Sequence, residues 1–268
     1  MVDDRGVATD VVTAIERAAE AVVASRYVIA LVGAGISVES GIRPFRGADG
    51  LWTEKGEPPM DGYQRFMLDL AAGWRDMLAR RAVGDEFSRS LDEARPNPAH
   101  VALAELETMG VLRHTITQNI DDLHFRAGSV AVTEIHGNRT KVRCIGCDAR
   151  WPFAEFTITD VPPSCPQCRD IVKSDVVMFG EPIPQYALAE CYRQAEQADC
   201  VLVVGTSAAV YPAAHFPEMV LQSGGALVEV NPDETAYSVH AAAVLRGAAG
   251  VMLPQLVAKI GEVASRLP

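Results

Sequence analysis

Apolar residues recur along this chain in two alternating rhythms, short continuous runs and longer stretches of helical spacing. The runs Tyr27–Val32, His114–Thr117, Ala131–Ile135, Cys200–Val204 and Ala226–Val230 have the length and β-branched composition of buried strands. A last short strand is expected near 241–246. Helices are predicted over 9–24, 63–82, 98–109, 185–198, 212–223 and 252–265. The first places Val12, Ile15, Ala19, Val22 and Val23 on one side, with Thr9 or Asp10 as its cap. The third opens at Pro96-Asn97-Pro98 and stops at Gly110. Strands apolar on both faces that alternate with helices imply a mostly parallel sheet covered on both sides, an α/β fold. Two stretches break the alternation. Residues 47–62, rich in glycine and proline, read as a long mobile loop, and 138–174 carry a different pattern altogether.

In open parallel sheets, ligands bind where the strands end. Small and polar residues gather at those ends here: Gly33-Ala34-Gly35, Gln118-Asn119-Ile120-Asp121, His136-Gly137, Gly205-Thr206-Ser207 and Asn231-Pro232. A strand running into Gly33-Ala34-Gly35 is how such a fold brings backbone N–H groups against a diphosphate. The hydride-transfer fingerprint needs a third glycine where Val38 stands, and no acidic residue follows at the expected distance. The loop is therefore a nucleotide loop built for other chemistry. Asn119 and Asp121 are suited to gripping ribose hydroxyls, a carboxamide or a water, although an Asn-x-Asp pair can also be turn chemistry. His136, closing a strand at the same edge, is the best general-base candidate; His100, His114, His124, His215 and His240 have weaker claims.

Length and composition narrow the picture further. A chain of 268 residues suits one large α/β domain with an insertion, or two small domains. With 49% apolar residues a sizeable core is expected, and a net charge of −11 argues against a general nucleic-acid binder. Met1-Val2-Asp3-Asp4-Arg5 has no apolar leader pattern and no run approaches the ~20 residues of a membrane span, so a cytoplasmic protein is expected. Four of six cysteines form two C-x-x-C pairs, Cys144/Cys147 and Cys165/Cys168, at zinc-ribbon spacing. Four thiolates fill a tetrahedral shell, which makes the expected zinc structural. Cys191 and Cys200 read as core thiols. Around the ribbon, Lys141, Arg143, Arg150, Arg169 and Lys173 nearly balance the acidic residues, so nucleic-acid binding is not expected. Val176–Pro182 is apolar and extended, either a buried strand or an exposed edge on which a peptide could lie.

Taken together, these segments resemble the sirtuins, the NAD-dependent protein-lysine deacylases. The matching pieces are GAGISVESGI…FRG at 33–47, TQNIDDLH at 117–124, IHG at 135–137, the four cysteines, VVMFGEPIP at 176–184, GTSAAVYPAA at 205–214 and VNP at 230–232. The resemblance implies a Rossmann-type domain of residues 1–46, 92–137 and 175–268, with a small domain made of a helical module, 47–91, and the zinc ribbon, 138–174. It implies NAD as co-substrate, held by Gly33, Ala34, Gly35, Ser37, Phe45, Arg46, Trp52, Gln118, Asn119, Ile120, Asp121, Gly205, Thr206, Ser207, Asn231, Pro232, Asp233 and Ala249. Acyl-lysine peptides would lie against Val177, Phe179, Gly180 and Glu181. In the family's reaction the acyl oxygen attacks C1′ of the nicotinamide ribose, nicotinamide leaves, and His136 takes a ribose hydroxyl proton while Asn119 orients ribose or water. A mono-ADP-ribosyltransferase or NAD glycohydrolase would use the same cleft, and a non-catalytic NAD sensor or zinc-ribbon interaction module is a third reading. The oligomeric state is not readable, with monomer as default. Two departures stand out. Pro44 replaces the family's usual Asp, as in the branch that removes acidic acyl groups, yet the corresponding helix (Trp74-Arg75-Asp76-Met77-Leu78) lacks that branch's Tyr-x-x-Arg. Acetyl or longer apolar acyl groups are therefore expected over succinyl, because an Arg clamps a carboxylate bidentately and Met77 or Leu78 cannot.

Overall fold

The computed structural model describes residues 4–47 and 50–266, with side chains from residue 10 onward; Met1–Asp3 of the leader reading and Ala48-Asp49 of the loop reading lie outside the described residues. Six strands form one parallel sheet: β1 (Val28–Val32), β2 (Leu112–Thr117), β3 (Val132–Glu134), β7 (Cys200–Val204), β8 (Ala226–Val230) and β9 (Ala243–Leu245). Their spatial order is β3-β2-β1-β7-β8-β9, the order of a doubly wound dinucleotide fold. The direction of winding reverses between β1 and β7.

Alternation along the strands divides the core in two. Ala30, Val32, Leu202, Val204, Val228 and Val230 face α1 (Asp4–Val23), α6 (Pro98–Thr108) and α10 (Ala249–Ala264). Ile29, Leu31, Ile116, Val201, Val203 and Leu227 face the other way, toward α8 (Gln185–Gln197) and α9 (His215–Gln222). Every residue of β1 and β7 is buried; each such aliphatic side chain contributes roughly 1.5–3 kcal/mol. Cys191 and Cys200 sit in these cores, where burial pushes both thiols up to about 12.

Local chemistry sets the helix ends and corrects several expectations. α1 begins at Asp4, so Thr9 and Asp10 lie inside the helix instead of capping it. The expected loop at 47–62 contains a short helix, α2 (Leu51–Lys55), because Gly50 N and Leu51 N find carbonyls at Gly47 and Pro44 that start a turn. The expected helix 63–82 is two, α3 (Gly62–Leu68) and α4 (Leu70–Val83). Asp69 leaves helical geometry at φ −144° and its carboxylate caps the Ala72 amide. A further helix, α5 (Glu86–Glu93), begins at the Asp85 cap and spans the 91/92 boundary drawn from sequence. α6 starts as its sequence indicates, with Asn97 and His100 forming a reciprocal capping box and Pro98 in the first turn.

Residues 138–174 form an antiparallel three-stranded sheet of β4 (Lys141–Cys144), β5 (Arg150–Pro152) and β6 (Val172–Ser174), in the order β5-β4-β6. An apolar cluster of Phe66, Trp74, Val142, Cys144, Cys165 and Val172 joins it to α3 and α4. Trp74 is 1% exposed and its indole donates to the Val172 carbonyl at 2.8 Å. Trp74→Phe keeps most of the packing but strands that carbonyl, so we expect a loss of about 1–3 kcal/mol in urea denaturation. Trp74→Ala should cost about 3–5 kcal/mol. A Phe variant as stable as the parent would remove this bond from the account of the junction.

Candidate active site

Strand register places the chemistry in one row. Val32 pairs with Thr117 and Val204, Thr117 with Glu134, Val204 with Val230, and Val230 with Leu245. The residues that follow, Gly33, Gln118, Ile135, Gly205, Asn231 and Arg246, therefore stand side by side at one edge of the sheet. At the β1/β7 reversal the backbones nearly touch. Gly33 N donates to Val204 O at 3.0 Å and Gly35 N to Gly205 O at 2.8 Å. A Cβ on Gly35 would lie 2.7 Å from Gly205 Cα, and one on Gly33 2.6 Å from Thr206 Cβ. Gly205 also needs φ +57°, a region that favours glycine. The loop after Gly33 becomes a 3₁₀ helix, Ala34–Ser40, whose Glu39 carboxylate accepts from Gly250 N at 2.6 Å in the first turn of α10. Ala249 is thereby tied to the glycine loop, though its own methyl is buried in the core.

Beneath this cradle lies a buried polar set. Ser37 Oγ donates to Asp121 Oδ2 at 2.7 Å, and Asn119 Nδ2 donates to Ser37 Oγ and Gly33 O, both at 3.2 Å. Asp121 also accepts from Leu123 N at 3.0 Å; burial raises its pKa and these hydrogen bonds lower it, leaving a net rise. Gln118 Nε2 reaches Thr206 Oγ1 at 3.0 Å, and Asn231 Nδ2 donates to Thr206 O at 3.1 Å. Gln118, Thr206 and Asn231 thus bridge three strand ends, while Ser207 is exposed beside them and Pro232-Asp233 continues the turn after β8. Ile120 O holds Arg139 N at 3.1 Å.

His136 stands one residue past the row. Its Nδ1 lies 3.1 Å from Gln118 O; a carbonyl only accepts, so Nδ1 carries the proton and Nε2 keeps a free lone pair. Burial pulls its pKa down, against the raising effect of that hydrogen bond. The imidazole is neutral at pH 7 and poised to take a proton.

Two features were not legible in sequence. His100 and His124 are both buried, their rings edge to face at 5.1 Å. Neither ring nitrogen of His124 has a hydrogen-bond partner among the described residues. The other feature is an aromatic run: Phe45 packs 4.7 Å from Trp52, and Trp52 meets Phe179 edge-on at 5.5 Å. Arg46 lies over Trp52 and pairs with Glu57. This brings Phe45, Arg46 and Trp52 against the segment that carries Val177. That segment is no regular strand. Met178–Glu181 closes a turn, with Glu181 N donating to Met178 O at 3.0 Å and Gly180 at φ +79° in the third position, where a positive φ calls for glycine. The Glu181 carboxylate folds back onto Met178 N at 2.8 Å.

Cys144, Cys147, Cys165 and Cys168 place their sulfurs within 4.8 Å of one another. Gly146 N points at Cys144 Sγ (3.4 Å) and Gln167 N at Cys165 Sγ (3.3 Å), donors that favour thiolate. Each pair is followed by a residue of positive φ, Asp148 at 57° and Arg169 at 69°. The four residues fit a tetrahedral zinc with no open position.

The fold and the edge define a dinucleotide-binding α/β protein with a four-cysteine ribbon. A family model described as the Sir2 family matches residues 33–212, and the chain belongs to that family. The NAD-dependent protein deacylase of Thermococcus kodakarensis is 43% identical over 252 residues, 92% of this chain and 95% of that protein. A solved Sir2 homologue mutant in complex with ADP-ribose aligns at TM-score 0.77 and 39% identity, covering 96% of this chain and 98% of that one. A Sir2–p53 peptide–NAD+ structure aligns at TM-score 0.71 and 32% identity, covering 91% and 97%.

Two measurements follow. Burial lowers His100 to about 4 and His124 to about 3 from 6.5. Below pH 6.5 the unfolded chain takes up protons that the folded protein refuses, so stability rises with pH and is lost as pH falls toward 4. The expected slope is up to about 1.4 kcal/mol per pH unit for each histidine. His124→Leu should flatten the loss between pH 6.5 and 4.5 in urea titrations; an unchanged slope refutes this. Metal analysis should find one zinc per chain, and Cys165→Ala should abolish it together with the native fluorescence of Trp74 and Trp151.

Proposed function

We propose that this protein removes acyl groups from lysine side chains of proteins at the expense of NAD, passing the acyl group to ADP-ribose and releasing nicotinamide. The observation that carries the reading is convergence at one sheet edge: a backbone diphosphate cradle, a buried amide–carboxylate set and an imidazole with a free Nε2. Solved structures of Sir2 relatives with ADP-ribose and with NAD+ and a p53 peptide support the substrates. When bound, NAD supplies an electrophilic ribose carbon that accepts the acyl oxygen as nicotinamide leaves.

The protein's own residues do the rest. Gly33, Ala34 and Gly35 hold the diphosphate by letting it approach main chain closely, with Gly205, Thr206 and Ser207 alongside, while Gly33 N and Gly35 N stay turned onto Val204 O and Gly205 O. Gln118, Asn231, Pro232 and Asp233 hold the riboses. Ile120 and Asp121 bind the carboxamide, with Ser37 fixing the Asp121 carboxylate. Phe45, Arg46 and Trp52 exclude water from the reacting carbon, and Asn119 orients the ribose or a water. His136 takes the ribose hydroxyl proton at Nε2 while Gln118 fixes its tautomer. The peptide lies along Val177, Phe179, Gly180 and Glu181. Cys144, Cys147, Cys165 and Cys168 hold a zinc whose task is structural. Four of the ribbon's cations, Lys141, Arg143, Arg150 and Lys173, turn inward onto carboxylates, which leaves little for nucleic acid. A cytoplasmic protein is part of the same reading, with Cys191 and Cys200 as unpaired buried thiols, and monomer is its default state.

Acyl preference follows from α4. Trp74 is spent on Val172 O, and Arg81 stacks on Phe153 at 4.0 Å while donating to Arg139 O. Met77 packs into the apolar cluster. On peptides differing only in acyl group, kcat/KM for acetyl or longer apolar chains should exceed that for succinyl by at least tenfold. A succinyl preference would overturn this. His136→Ala should retain NAD binding and lose at least a hundredfold in turnover. Nicotinamide release that proceeds equally without acylated peptide would favour an NAD glycohydrolase instead.

A further inference from the structure

The turn that carries His136 is gripped from outside the cleft. Asn138 N donates to Asp175 Oδ2 at 2.8 Å, and Val177 N donates to His136 O at 2.9 Å. Between these two bonds Gly137, at φ +73°, lies so close that a Cβ there would be 2.0 Å from Asp175 O and 3.2 Å from Asp175 Oδ2. Residues 136–138 and 175–177 are therefore locked backbone to backbone, with the Asp175 carboxylate on the Asn138 amide and the Asn138 side chain on Asp122 and Glu134.

Asp175 is fully buried. Its charge is compensated from the zinc ribbon: Arg150 of β5 binds Oδ2, and Arg143 Nε of β4 lies 3.6 Å from Oδ1. Both arginines are held by other carboxylates as well, Arg150 by Glu134 at 3.0 Å and Arg143 by Glu181 at 2.6 Å. A buried carboxylate between two guanidiniums is fixed in position, since moving it leaves charges unpaired in low dielectric. The strands organised by the cysteines thus set where Asp175 sits, and Asp175 sets where the His136 turn sits.

We infer that Asp175 is a positioning residue for His136, through which the ribbon holds the imidazole against the ribose. The inference rests on the reading of His136 as the base. Breaking the nicotinamide bond moves no proton to His136, whereas the later transfer of the acyl group needs a ribose hydroxyl proton taken at Nε2. A defect confined to the placement of His136 therefore separates the two stages.

The test compares parent, Asp175→Asn and Arg150→Gln, all with zinc content measured. In the parent, nicotinamide–NAD exchange and O-acyl-ADP-ribose formation should both require acetyl-lysine peptide; if neither occurs, the deacylase reading itself fails. Asp175→Asn should keep exchange and NAD affinity within threefold while product formation falls at least tenfold. Imidazole ¹⁵N shifts of His136 should report loss of the single Nδ1–H tautomer without any ligand present. Arg150→Gln should show the same split, smaller. Equal loss of both activities, or an unchanged tautomer, overturns the inference. If Asp175→Asn does not fold with zinc, Arg150→Gln decides: the split supports the inference, and its absence overturns it.

Discussion

The contact between the backbones of Gly33-Ala34-Gly35 and Gly205 is the constraint on which the molecule is organised. The strands β1 and β7 are neighbours at the point where the sheet reverses its winding, and the chains leaving them must diverge without side chains between them. A methyl on any of the three glycines would meet backbone or Thr206 within 3 Å. Because no side chain intervenes, a diphosphate can approach main chain instead of side chain. The polar set of Ser37, Asn119 and Asp121 hangs from the same loop through Gly33 O, so the cradle and the chemistry beneath it are one rigid unit.

The site is surrounded by groups that cost stability. Asp121 and His136 are desolvated, and His124 has no hydrogen-bond partner at either nitrogen among the described residues. Polar groups buried in this way are tolerated where geometry has to be fixed before substrate arrives. Compensation comes from the two apolar layers of the sheet, whose strand residues are almost entirely buried.

The junction with the ribbon uses a different device. Lys173 is fully buried, its ammonium on Ser174 O, Val176 O and Glu181. The joint to α3 and α4 is apolar; with Arg143, Arg150 and Lys141 against Glu134, Asp175 and Glu181, Lys173 makes the joint on this side of the ribbon ionic. Such a joint is directional: guanidiniums and carboxylates match only in one arrangement, whereas an apolar face tolerates sliding. The segment from Asp175 to Glu181 crosses this joint, so the turn bearing Glu181 and the turn bearing His136 share one support.

Residue order alone was enough for the strands, since continuous runs such as Cys200–Val204 can be satisfied only by burial on both faces, and for the row of small and polar residues at their ends. It was enough for the four-cysteine ribbon, because spacing fixes ligand reach, and for placing His136 at the sheet edge, because strand-end position is a one-dimensional property. Tertiary structure decided the rest. The break at Asp69 and the helix inside 47–62 depend on single side chains and carbonyls that propensity does not rank. Four of the ribbon's basic residues, which in sequence merely balance nearby acids, turn inward because their partners Glu134, Asp175 and Glu181 lie on segments brought together only by folding. The pairing of His100 with His124, and the grip of Asp175 on the His136 turn, join positions tens of residues apart. Charge compensation and close backbone approach are relations between surfaces, and a linear pattern carries no record of which surfaces meet.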